Sequence, residues 1–280
     1  MTHRGTRKEP PTDALYEATL RLVDGAIETL ASRQDDQAVH LARKATKRIR
    51  AALRLMRQSL GTAIYHRENR RVRDAARPLT ALRDAFMLRR ALRKMPSRSA
   101  PLEHGLKFEY RREREAFTRQ GSQAALTQLR AARRHLGERG PNARQVASTA
   151  EAVGETYRAG RKARTRARSN DDPALHEWRK QTTYLLNQLE LLRAVFGFDV
   201  KKMRRRAHTL AATLGDDHDL SVLCAKLRRY DATTPRLTQH IQRLRSRLQR
   251  RAKKQGRKLY RHSAKHIKAT LAANFSKLSG

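Results

Sequence analysis

The fold is decided by a helical segment that occurs twice, as HLARKATKRIRAALRLMRQSLG at residues 40–61 and as HEWRKQTTYLLNQLELLRAVFG at residues 176–197. Aligned without gaps, both copies keep an opening His-x-x-Arg-Lys motif, a Thr two residues later and apolar residues up to a final Gly. The apolar residues return every three or four positions, which predicts an amphipathic helix. Because the polar motif is repeated along with the apolar pattern, the chain is interpreted as a tandem duplication.

The similarity between the two halves continues downstream with a shift of one residue. The segment 79–88, which contains Arg83-Asp84, aligns with 214–223, which contains His218-Asp219. A basic helix precedes this element in each copy, at 70–77 and at 201–208. We therefore predict a polar N-terminal tail at 1–12, a first repeat at about 13–140 and a second repeat at about 141–272.

Helix formers and helical spacing of apolar residues dominate the chain after Asp13, and strand signals are nearly absent. We predict an all-α fold of roughly ten helices, arranged as two pseudo-symmetric antiparallel helical bundles related by an approximate two-fold axis. Helix ends are expected where Gly and Pro interrupt the pattern. These interruptions are Gly61, Pro78, Pro96 to Pro101, Gly121, Gly137 to Pro141, Ser169 to Pro173, Gly197, Gly215 and Pro235.

The charge balance is strongly positive, with 64 Lys and Arg against 26 Asp and Glu and a formal net charge of +38. This excess is far beyond what solubility requires and indicates a strongly anionic partner. Cys224 is the only cysteine, which excludes a disulfide framework and favours a reducing compartment. Residues 1–13 are polar and no apolar run is long enough to span a bilayer, so we expect a soluble, cytoplasmic protein without membrane contact.

The first repeated helix has one apolar and one basic face. A helical wheel places Ile49, Leu53 and Met56 toward a core and gathers the cations in an arc of about 120° on the opposite side. A charged face is usually only solvated. Here no acid occurs between Asp36 and Glu68, and like charges at i,i+4 repel, so we expect an external anion to balance them. The basic face consists of His40, Arg43, Lys44, Lys47, Arg50 and Arg54.

The second copy keeps His176, Arg179 and Lys180, but its positions matching Lys47, Arg50 and Arg54 are Thr183, Leu186 and Glu190. We therefore expect the second copy to contribute a sparser basic face. Trp178 lies on the apolar stripe and is interpreted as a core residue rather than a stacking platform. The stretch 232–280 contains no acid and predicts a long basic helix. Further candidate cations, in matching places of the two copies, are Arg73, Arg77, Arg83, Lys202 and Arg205.

Arginine outnumbers lysine, and its planar guanidinium engages phosphate oxygens in pairs, so phosphate is favoured over a carboxylate-rich protein surface. The acids of 216–219 with Asp84 are a conceivable metal site, but Asp after Leu-Gly is also typical of a helix start. We predict no metal site, no cofactor and no enzymatic activity. Sequence-nonspecific nucleic-acid binding remains the alternative, because the same charge would release counterions from DNA or RNA.

The ordered double set of motifs resembles the CHAD family, the conserved histidine α-helical domain, over about residues 13–270. The residues that carry the resemblance are His40, Arg43, Lys44, Arg83-Asp84, His176, Arg179, Lys180 and 214–219. The resemblance implies two four-helix bundles around a central basic cavity. It also implies binding of inorganic polyphosphate, often at polyphosphate granules. No Glu-x-Glu-x-Lys strand of a triphosphate tunnel domain is present, so we expect a stand-alone member.

The prediction for function is a noncatalytic receptor in which cations from both copies converge on one cavity and bind polyphosphate. The residues expected to bind are His40, Arg43, Lys44, Lys47, Arg50, Arg54, Arg73, Arg77, Arg83, His176, Arg179, Lys180, Lys202 and Arg205.

Overall fold

The computed structural model describes residues 11–93, 95, 100–138 and 146–279. Within those ranges the chain forms ten long α-helices and no strand, which confirms the predicted all-α fold. The helices are α1 Pro11–Ser32, α2 Asp36–Leu55, α3 Thr62–Leu92, α4 Ala100–Ala116, α5 Ser122–Gly137, α6 Val146–Arg166, α7 Asp172–Phe196, α8 Lys201–Arg229, α9 Pro235–Leu259 and α10 Ala264–Ser279. Most of the predicted tail 1–12 and the predicted junction between the repeats lie outside the described residues.

The two motif helices, α2 and α7, begin in the same way, whereas α2 ends at Leu55 before a short helix at Arg57–Leu60 and α7 continues to Phe196. Each is preceded by an aspartate whose side chain accepts a hydrogen bond from a backbone N–H of the first turn, Asp35 from Ala38 and Asp171 from Ala174. Such N-caps satisfy donors that the helix itself leaves unpaired. Both segments then run to a glycine in the positive-φ region, at Gly61 and Gly197. Each motif is thereby held near the start of its helix.

The packing order of the helices also recurs between the halves. In the first half α2 packs on α1 and α3, and in the second half α7 packs on α6 and α8. The pairs α3–α4 and α1–α5 have counterparts in α8–α9 and α6–α10. Contacts of α2 with α7 and of α3 with α8 join the two halves. The duplication seen in the sequence thus extends to the contacts, whereas the two-fold axis itself stays a prediction.

Two hydrophobic clusters hold these helices together. The larger cluster runs through both halves and includes Ile49, Leu53, Leu189 and Trp178, so the apolar stripe and the core position of Trp178 are as predicted. The smaller cluster joins α3, α4, α8 and α9 through leucines such as Leu88 and Leu223. Full burial of one leucine side chain stabilises the fold by about 1.5–3 kcal/mol.

Two of the predicted helix ends are wrong, because α3 continues through Pro78 and α8 continues through Gly215. The apolar stripe of α3 goes on past the proline from Val72 to Leu82, and tertiary burial of this stripe outweighs the local cost of proline in a helix. In α8, Asp216 and Asp217 lie inside the helix and not at its start. Gly121 ends a short π-helical turn, Phe117–Gly121, after which the chain goes on as α5.

The acid-free C-terminal stretch forms two helices, α9 and α10, instead of one long helix. The predicted stripe of α9 is partly to fully buried, with Ile241, Ala252 and Leu259 inside the core and Leu244 and Leu248 packed against it. This stripe faces α8. The cations between the stripe residues therefore remain on the outside of the molecule.

Candidate functional site

A small cavity of about 210 Å³ lies where the four helices α2, α3, α7 and α8 meet. Each half supplies an arginine from its His-x-x-Arg-Lys motif, Arg43 and Arg179. Each half also supplies its downstream basic-acidic pair, so the cavity is built from the parts that the sequence repeats. The lining residues are His40, Arg43, Arg83, Asp84, Met87, Leu88, Arg179, Gly215, His218, Asp219 and Val222.

The two motif arginines differ in their contacts. Arg43 donates a hydrogen bond from Nε to the hydroxyl of Thr80, 3.3 Å away, and its Nη2 lies 3.6 Å from Oδ1 of Asp84. Arg179 has a buried Nε that lacks a hydrogen-bond partner, and among the described residues its guanidinium forms no ion pair. Buried polar groups are normally paired. Arg179 is therefore a donor that is held in the cavity without a ligand from the protein.

The positive charges of the cavity repel each other and are partly removed from water. Burial, and then the neighbouring Arg43 and Arg179, lower the pKa of Lys47 to about 8. Burial also lowers the pKa of Arg83 and of Arg179. An anion that enters the cavity would relieve this repulsion, because opposite charge favours the protonated form of each group.

Two carboxylates face these cations, Asp84 from α3 and Asp219 from α8. Burial raises the pKa of Asp219, and this effect is opposed by the charge of Arg179. The helical wheel of α2 could not find these acids, because they come from other helices. The sequence nevertheless carried a signal for them, since both copies have an Asp at the same place in the repeat.

Two histidines, His40 and His218, line the cavity, and His176 lies beside His218. Burial first, and then nearby cations, lower the pKa of His40 and His176, and the same causes lower the pKa of His218 to about 4. The rings of His176 and His218 are 5.1 Å apart. His218 was not among the residues predicted to bind, although it occupies the position of Arg83 in the second copy.

Lys47 and His176 do not line the cavity, although the charge of Arg179 acts on both. The other candidates also lie outside the lining. Lys44 and Lys180 are exposed on the motif turns, and Lys180 is hydrogen-bonded to Glu177 at 2.7 Å. On α3, Arg73 and Arg77 point to solvent and flank Asp74 at 3.3 and 3.7 Å. Lys202 and Arg205 are exposed on the first turns of α8.

The far end of the basic face on α2 serves the interface between α2 and its neighbours. The Nε of Arg50 donates to Asn69 at 3.0 Å, and the Arg54 guanidinium lies 3.8 Å from the centre of the Tyr184 ring. Arg54 also lines a separate cavity of about 640 Å³. Glu190 pairs with Arg48 across the interface at 3.0 Å, so it does not face the central cavity.

Two comparisons with known proteins agree with the fold. The family model described as the CHAD domain matches residues 14–228. The crystal structure of the CHAD domain from the plant Ricinus communis is similar, with a TM-score of 0.58 and 16% sequence identity. The match covers 97% of this chain and 98% of that one. A comparison with curated proteins gave no match.

Proposed function

Because the chain belongs to the CHAD domain family, we propose that it binds inorganic polyphosphate in the central cavity and catalyses no reaction. The observation that supports this most directly is Arg179, whose buried Nε has no partner from the protein. A guanidinium fixed in this way gains a charge-assisted hydrogen bond as soon as a phosphate oxygen arrives. Arg43 and Arg83 would engage the same chain from the other half.

The size of the cavity favours a thin anion over a nucleic-acid duplex. About 210 Å³ is less than most pockets for drug-sized molecules offer, and it accommodates a short stretch of a phosphate chain without bases. Arg43, whose Nη2 lies 3.6 Å from Oδ1 of Asp84, exchanges this contact for the phosphate chain in this proposal. In this proposal the exposed Lys44 and Lys180 attract the chain toward the cavity, and the His176–His218 pair contacts it at the second half.

The same proposal places the protein in the cytoplasm and at polyphosphate granules, where its ligand is concentrated. None of the helices in the described part of the chain has both the length and the apolar character to cross a membrane.

Calorimetry tests the proposal with one cavity variant and one control that remove the same charge. Arg179→Gln is expected to weaken binding of long-chain polyphosphate by about tenfold or more, since hydrogen bonds to charged groups contribute about 1.5–3 kcal/mol. Arg243→Gln, on the exposed outer surface of α9, should change the affinity by less than about twofold, as expected for a screened surface charge. Heparin and a short DNA duplex at matched salt should not distinguish the variants. Equal losses for all three polymers would show a generic basic surface.

Polyphosphate affinity is expected to rise as the pH falls. The pKa values of His40 and His176 are lowered in the free protein, and that of Lys47 is lowered to about 8. A bound phosphate chain raises these pKa values, so binding takes up protons and is favoured by acid. We expect about a tenfold gain in affinity or more between pH ~8.5 and ~5.5, since one linked proton is worth up to tenfold per pH unit.

Calorimetry in two buffers of different ionisation enthalpy measures this proton uptake directly. The double variant with His40→Gln and His176→Gln should lose most of the gain in polyphosphate affinity below about pH 7, where His side chains titrate. In the absence of ligand the same protonation destabilises the fold. The histidine pKa values are lower in the folded than in the unfolded chain, so stability present above pH ~6.5 is lost as the pH falls. An affinity that does not change with pH would contradict the role of these histidines.

A further inference from the structure

A second group of cations lies outside the central cavity, where the end of α6, the start of α8 and the end of α9 meet. The helices contact each other through these side chains: Lys253 Nζ donates to the carbonyl of Arg168 at 3.0 Å, and Arg206 Nη1 donates to the carbonyl of Lys258 at 3.1 Å. We call this surface the basic corner. The basic corner consists of Arg161, Arg168, Lys202, Arg206, Arg257 and Arg261.

The backbone under the basic corner is held firmly by buried aromatic residues. The hydroxyl of Tyr157 lies 3.1 Å from the carbonyl of Leu259 and 3.2 Å from that of His262. Tyr260 is buried and its hydroxyl lies 3.2 Å from that of Thr182. The cations therefore project from a fixed surface and are not on a loose tail.

The basic corner lacks carboxylates to balance it. In the part of the chain that the structure describes, none of its six cations forms an ion pair with an acid, and Arg206 bonds to a backbone carbonyl instead. Burial and the charges of Arg168, Arg161 and Arg257 lower the pKa of the neighbouring Arg164. Repulsion of this kind reduces stability unless an external anion balances it.

The matching start of α3 in the first half is balanced by an acid. The buried Glu68 there pairs with Arg67 and Arg71 at 2.7 and 2.8 Å. The same fold position is thus charge-paired in one half and unpaired in the other. A need for solubility would apply to both halves equally, so it does not explain why the cations are paired with acids in only one of them.

We propose that the basic corner binds the phosphate backbone of double-stranded nucleic acid without reading its sequence. Its cations come from α6, α8 and α9 and from the segments that follow α6 and α9, so they do not form a single row along one helix. Such an arrangement suits the two phosphate strands of a duplex better than one thin chain. Tyr157, Tyr260 and Trp178 beneath the corner are buried, so none of these three rings offers a stacking platform to the bases of a single strand. The corner is separate from the central cavity, and the proposal does not depend on polyphosphate binding.

A four-residue variant of the full chain tests the corner: Arg161→Gln, Arg168→Gln, Arg257→Gln and Arg261→Gln. Fluorescence anisotropy with a labelled mixed-sequence DNA duplex of about 20 base pairs measures affinity between about 0.05 and 0.2 M NaCl. Each lost phosphate contact lowers the salt slope by about 0.9, so the slope should fall by about 3 to 4. Glutamine keeps helix propensity, so the variant should fold normally.

The matched control removes four arginines from the outer surface of α9, with Arg236→Gln, Arg243→Gln, Arg247→Gln and Arg250→Gln. Its net charge equals that of the corner variant, and its salt slope for DNA should change by less than about 1. Equal losses in both variants would overturn the proposal, because they would show that only total charge matters.

Polyphosphate separates this proposal from the function of the cavity. The corner variant should bind polyphosphate as the unaltered chain does, whereas Arg179→Gln should bind the DNA duplex as the unaltered chain does. If the corner variant loses polyphosphate and DNA binding to the same degree, the corner is a second polyphosphate site and the nucleic-acid assignment is wrong. If Arg179→Gln leaves polyphosphate binding intact, the cavity proposal fails while the DNA result still stands.

Discussion

Replacing Trp178 with alanine is expected to lower the free energy of unfolding by about 3–5 kcal/mol, the usual cost of removing a large aromatic side chain from a core. Trp178 is fully buried and belongs to the larger hydrophobic cluster. It packs against Gly256 of α9 so closely that a methyl group there would overlap the indole ring. The side chain thus links the second motif helix to the C-terminal part of the fold.

Thermal and urea unfolding measure the loss, and Phe108→Ala provides the control. Phe108 is also a large aromatic residue on a helix, but its side chain is 62% exposed. Its replacement should change the free energy of unfolding by no more than about 0.5 kcal/mol. If Trp178→Ala unfolded like the unaltered chain but lost polyphosphate affinity, Trp178 would be a ligand-contacting residue and its core assignment would be wrong.

The repeat and the apolar periodicity were enough to predict the fold class. The period of Ile49, Leu53 and Met56 correctly assigns the buried side of α2, because the apolar face of an amphipathic helix can be read from the sequence of that helix alone. Helix ends were less predictable. Pro78 and Gly215 favour interruption locally, yet the buried stripes around them continue, and packing decides the outcome.

The candidate site was predictable only as far as one helix could reveal it. Of the predicted residues, His40, Arg43, Arg83 and Arg179 line the cavity, and they come from the motifs that the sequence repeats. The acids and His218 were not predicted to line it, because their position depends on how α3 and α8 pack against α2 and α7. Conversely, Arg50 and Arg54 share the basic face of α2 but lie beyond the crossing of the helices, where they contact Asn69 and Tyr184.

The geometry also changes how much each half is expected to contribute to polyphosphate binding. The sequence predicts the second copy to contribute less, since Lys47, Arg50 and Arg54 have no basic counterparts there. In the structure Arg43 forms an ion pair with Asp84 at 3.6 Å, whereas Arg179 forms no ion pair among the described residues and the charge of Asp219 acts on it only from a greater distance. A cation without a protein partner gains more from a phosphate than one that must first release a carboxylate.

A double-mutant cycle with Arg43→Gln and Arg179→Gln measures how much each half contributes to the affinity for polyphosphate. The double variant is expected to lose about 100- to 10,000-fold in polyphosphate affinity, since two charge-assisted hydrogen bonds contribute about 1.5–3 kcal/mol each. Arg179→Gln alone should account for more of this loss than Arg43→Gln alone. Calorimetry gives the affinities, and circular dichroism checks that each variant remains folded.

The coupling term of the cycle decides whether one phosphate chain spans both halves. Two arginines that hold the same chain should show an interaction energy of at least about 0.5 kcal/mol, as neighbouring residues in one network do. Strictly additive losses would mean that each half binds its own ligand independently. A larger loss from Arg43→Gln than from Arg179→Gln would mean that the ion pair with Asp84 prepares Arg43 for the phosphate instead of competing with it.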